Sequence, residues 1–78
     1  MQPIFELWDT ETRNLVDAYA TEEAALEEIR FALEADGPQS VETLVLLRDD
    51  RNNAPLTLIA RGAVLAEYAR NMRAHAAS

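Results

Sequence analysis

Imidazole chemistry in this chain would have to come from His75, its one histidine. That residue sits in an alanine-rich stretch, AHAAS, and reads as a solvated side chain rather than a general base or a metal ligand. Ser40 and Ser78 have no credible base partner, so a Ser-His-Asp arrangement has no support. Cysteine is absent. Disulfides, thiolate metal sites and cysteine nucleophiles are thereby excluded, and nothing suggests an oxidising compartment.

Oxygen chemistry has more material. Asp49, Asp50, Asn52 and Asn53 form a cluster that could hold a hard cation. It lacks the alternating acidic ligands, the central glycine and the closing glutamate of an EF-hand loop, and reads better as a hairpin turn. The pairs Glu22-Glu23 and Glu27-Glu28 fall in the first turn and on the polar side of a helical stretch, where dipole complementarity and solvation account for them. Gly37 and Gly62 are the only glycines, so neither common phosphate-binding loop is present. Arg61, Arg70 and Arg73 lie along the last helical stretch. They offset an acidic body there, or offer a docking surface to an acidic protein or, with less support, to a nucleic acid. No residue is assigned a catalytic, cofactor-binding or metal role, and no cofactor is expected.

Charge is unevenly placed. The formal net charge is −7, from 14 acids and seven arginines with no lysine. All the acids except Glu67 lie in residues 1–50, whereas Arg51, Arg61, Arg70 and Arg73 follow them. An acidic body repels phosphates and argues against non-specific nucleic-acid binding. With its abundant alanine, the all-arginine usage reads as the mark of a GC-rich genome. Met1-Gln2-Pro3 does not open a signal peptide, and no apolar run approaches the ~20 residues that span a bilayer. The expected location is the cytoplasm, with no membrane contact.

The element around which the rest is built is Thr21 to Gly37, TEEAALEEIRFALEADG. Thr21 is a candidate N-cap, Gly37 suits the residue after a helix, and Pro38 prevents continuation. Leu26, Ile29 and Leu33 form its apolar stripe, flanked by Ala25 and Ala32. Phe31 projects away from that stripe, so its ring is either covered by something else or exposed.

Apolar runs on both sides read as strand pairs. Residues 3–9 (PIFELWD) and 15–20 (LVDAYA) flank a polar turn. Strict alternation puts Phe5, Leu7, Val16 and Ala18 toward the helix, and Ile4, Trp8, Leu15 and Tyr19 on the opposite face. Residues 41–48 (VETLVLLR) are the strongest strand candidate, with a Leu44–Leu47 run that suggests burial on both faces. Residues 56–60 (LTLIA) follow a turn and Pro55. From Arg61 or Gly62 the pattern is helical, with Val64, Leu65, Tyr68 and Met72 on one stripe and Ala69 beside it. No internal repeat or dividing linker stands out, so residues 1–78 form a single domain.

The reading is an α+β domain of order ββαββα. It resembles a β-grasp domain in element order and lengths, which implies a four-stranded sheet with the central helix across one face and no particular function. The second helix could cover the sheet's other face, pack beside the first helix, or reach a second subunit. The apolar surplus on the sheet and at Phe31 exceeds what one helix can cover, and large exposed apolar patches mark association. The expected function is therefore a small non-catalytic protein-interaction or regulatory module, homodimeric or bound to another protein. Its expected interface residues are Trp8, Tyr19, Phe31, Tyr68, Arg70 and Arg73. The alternative is a nucleic-acid-associated regulator using the basic C-terminal helix.

Overall fold

In the computed structural model, which describes residues 2–77 and side chains through residue 71, helix α1 (Glu22–Asp36) begins and ends on local chemistry. The Thr21 hydroxyl accepts a 3.1 Å bond from the Ala24 amide, and Glu22 and Glu23 occupy the first turn. These satisfy an otherwise unpaired donor and complement the positive end of the helix dipole. At the far end the Gly37 amide donates to the Leu33 carbonyl at 2.9 Å. Gly37 has φ 85° and ψ 178°, an extended positive-φ geometry open essentially to glycine alone. A short 3₁₀ turn, Pro38–Ser40, follows and carries the chain toward the sheet.

Four strands make that sheet: β1 (Ile4–Asp9), β2 (Asn14–Tyr19), β3 (Leu44–Asp49) and β4 (Thr57–Arg61). Their order is β2-β1-β3-β4, and every neighbouring pair is antiparallel. Helix α2 (Gly62–Ala77) starts directly after β4. The element order is thus ββαββα, and the fold is α+β. Two successive ββα units share the sheet, with their first strands, β1 and β3, side by side at its centre.

The hairpin turns are built by side-chain oxygens. The Asp9 carboxylate accepts from the Glu11 amide at 2.9 Å, and this bond chiefly holds its pKa below the ordinary value. In the second hairpin Asp49 accepts from the Arg51 amide at 2.8 Å and Asn52 from the Ala54 amide at 3.1 Å. Such bonds mimic a backbone turn and favour Asp and Asn in it.

The core lies between the sheet and both helices. Phe5 and Leu7 from β1, Leu46 from β3 and Ala60 from β4 meet Ala25, Leu26 and Ile29 of α1 and Leu65, Ala66 and Ala69 of α2. Val41, in the turn before β3, is fully buried with them. Helix α2 therefore packs beside α1 on the same side of the sheet. Alanines on both helices keep the side chains between them short, so two helices fit over one narrow sheet. The molecule is a plate, 35 × 34 × 17 Å; its thin dimension matches one helix layer on one sheet.

Three expectations are corrected by this packing. On β2, Tyr19 stands opposite Phe5 and Asp17 opposite Leu7, so these face the helices. Ala18 stands opposite Glu6, on the other side, and Val16 is exposed. The cause is a β-bulge: Leu7 pairs with Asp17 but Trp8 with Leu15, leaving Val16 without a partner. One extra residue breaks strict alternation and reverses the faces beyond it. Of the Leu44–Leu47 run on β3, Leu44 and Leu46 lie on the helix side, whereas Val45 and Leu47 point to the uncovered side. On α2, Leu65, Ala66 and Ala69 are the buried stripe, whereas Val64 and Tyr68 are exposed. Small alanines were the buried face because α1 lies close by. Met72 falls outside the described side chains.

Candidate functional site

With both helices on one side, the opposite face of the sheet is left without a covering layer. Cross-strand pairing defines its rows. Leu15, Trp8, Val45 and Arg61 form one row, and Ala18, Glu6, Leu47 and Leu58 the next. Ile4 and Asp49 pair beyond them. The strands place these residues because alternate positions share a face. Leu15 is 47% exposed and Leu58 54%, while Trp8, Val45 and Leu47 are half-buried by their neighbours. Leu15, Trp8, Val45, Leu47 and Leu58 thus make a contiguous apolar run across this face, beside the charged Glu6, Asp49 and Arg61.

Trp8 is the anchor of this face. Its indole Nε1 donates to Glu6 Oε1 at 2.9 Å, two residues earlier on the same strand. The ring's polar edge is thus satisfied within the chain. A tryptophan so arranged presents apolar area and leaves no donor to be stranded if water is removed.

The other expected interface residues do not join it. Tyr19 lies on the helix-covered side and packs against the core, where its hydroxyl pKa is raised by burial first and then by the carboxylates of Glu28 and Asp17. Phe31 is 54% exposed on the outer side of α1, with the Arg30 guanidinium 5.7 Å from its ring centroid. Tyr68 and Arg70 are exposed on α2. Trp8 therefore lies on the opposite side of the sheet from the helices that carry Phe31, Tyr68 and Arg70. The Arg73 side chain lies outside the described residues.

Sequence reasoning placed Ile4, Trp8 and Leu15 on this face but did not bring in Val45, Leu47, Leu58 or Arg61. The alternation of β3 carried the signal, since Val45 and Leu47 share a face as Leu44 and Leu46 share the other. Reading the run as doubly buried concealed it.

The polar candidates are engaged elsewhere. Asp49 and Asn52 accept the turn amides described above, and Arg48 Nε lies 3.0 Å from Asp50 Oδ1. The Ser40 hydroxyl bonds backbone carbonyls, 2.7 Å from that of Gly37 and 3.2 Å from that of Ala32. Among the described residues no group of three His, Cys, Asp or Glu could hold a metal ion. The His75 side chain and Ser78 lie outside the description. A groove of about 500 Å³ runs between the 3₁₀ turn and α2, where Glu42, Glu67 and Arg70 line it beside Pro38 and Val64. No described helix is long and apolar enough to cross a membrane. In comparisons with known proteins, no family model, curated protein or solved structure matches the chain.

Proposed function

We propose that this chain is a small, non-catalytic protein-interaction or regulatory module that works as a homodimer in the cytoplasm. The observation that carries the reading is the uncovered sheet face around Trp8. Surfaces of that kind, apolar and contiguous, are the usual sites of association, and a two-fold pair is the commonest form of it. The engaged hairpin acids and the backbone-bonded Ser40 support a structural role for the groups that could otherwise do chemistry. The absence of cysteine fits a reducing compartment. The likeness to a β-grasp domain is one of element order and lengths, and it lends the function nothing.

The nucleic-acid reading has weaker support. Arg70 shares its groove with Glu42 and Glu67, and Arg61 stands in the row of Trp8, on the far side of the sheet from α2. The two arginines do not make one basic surface, and the rest of the chain is acidic.

Light scattering over a dilution series tests the homodimer. The expected mass at micromolar concentration is twice 8.7 kDa. A strict monomer at every concentration would remove self-association from the reading.

A further inference from the structure

We infer that two copies associate by stacking their uncovered sheet faces, giving a four-layered helix-sheet-sheet-helix particle with Trp8 at its centre. This rests on the homodimer reading and specifies which surface carries it.

Shape limits the choice. A plate of 35 × 34 × 17 Å has two broad faces and thin edges. A stable interface of standard size needs ~800 Å² of accessible surface from each partner. Four strands ~4.8 Å apart and about 20 Å long make a footprint near 400 Å². Side-chain relief and the flanking hairpin turns add to it.

The strand edges are also guarded. On edge strand β2 a bulge leaves Val16 unpaired, and Asp17 points a charge toward the helix side. On edge strand β4 the pairing skips Ile59, between Leu46–Ala60 and Leu47–Leu58, and Pro55 lies just ahead of the strand. Bulges, inward charges and proline are the devices that stop edges from pairing with another sheet.

Of the two broad faces, charge separates them. Helix α1 on the outer layer carries Glu22, Glu23, Glu27, Glu28, Glu34 and Asp36 against one arginine, Arg30. Two such layers would bring like charges together. The sheet face carries Glu6, Asp49 and Arg61 among Ile4, Leu15, Val45, Leu47 and Leu58. In a two-fold stack each contact occurs twice, so the Arg61 of each copy has the carboxylates of the other available on the facing sheet. The Trp8 donor is already bonded to Glu6. Sheets of this kind pack face to face at about 10 Å, with side chains interdigitating.

Trp8 is the only tryptophan, so acrylamide quenching of its fluorescence reports this face directly, alongside mass by light scattering. The expected result is a dimer whose Trp8 becomes several-fold more quenchable as dilution splits it. Leu47→Glu should give a folded monomer, with Leu58→Glu, at an already exposed position, as the second variant should the first not fold. Phe31→Glu should leave the dimer intact. A dimer that survives Leu58→Glu but is split by Phe31→Glu would overturn the stacking and keep the homodimer. A dimer in which Trp8 stays as quenchable as in the dilute protein would overturn it too. A strict monomer would overturn both.

Discussion

The two faces of the sheet share the same strands but have opposite environments. Leu46 and Leu47 are consecutive on β3; the first is 0% exposed under both helices, and the second belongs to the open face. Their side chains are identical and their backbone partners on β1 are adjacent, Leu7 and Glu6. The difference comes wholly from what lies above each. Apolarity along a strand therefore does not tell how many layers cover it, because a residue prepared for burial against a partner looks the same as one buried against a helix.

The sharpest contrast between the faces should come from Leu46→Ala and Leu47→Ala, compared by urea unfolding at high dilution. Leu46→Ala should cost about 2–5 kcal/mol, since it removes contacts and opens a cavity in a closed core. Leu47→Ala should cost about 1 kcal/mol or less in the dilute protein. Equal losses for the two would mean that something covers the second face even in the monomer.

The covering layer can be loosened from its ends. Gly37→Ala places a Cβ where φ is 85° and brings it to 2.9 Å from the Gln39 side chain. The expected loss is about 1–3 kcal/mol, mostly from the backbone geometry, and amide exchange should show α1 opening more readily. Thr21→Ala removes the hydroxyl that accepts the Ala24 amide. It should lower stability by about 1 kcal/mol, with Thr21→Ser restoring most of it. Neither change should alter the Trp8 environment if the faces are independent.

The smallest effect is a pH dependence confined to the covered face. The Tyr19 pKa is raised above its ordinary value of 10.0, so the folded state holds that proton more tightly than the unfolded chain. The associated stability is fully present below the unfolded pKa and is lost as pH rises through the folded one. Unfolding midpoints should fall more between pH 9 and pH 11 in the wild type than in Tyr19→Phe. An equal fall in both would place Tyr19 in water rather than against the core.

Much of this was legible along the chain. Thr21, Leu26, Ile29, Gly37 and Pro38 determined α1 by themselves, because capping, amphipathic spacing and termination act within a turn or two of the helix. Pro55 and the Asp- and Asn-rich hairpin placed β4 after a turn for the same local reason. Tertiary structure decided the rest. The bulge at Val16 exists only in relation to β1, and it parts Leu15, on the open side, from Asp17 and Tyr19, which pair opposite Leu7 and Phe5 under the helices. Whether Val64 and Tyr68 or Ala66 and Ala69 would be the inner side of α2 depended on α1 being its neighbour. Pairing register and layer order arise from contacts between residues distant in sequence, and a chain read position by position carries the apolar material for them without saying where it will be spent.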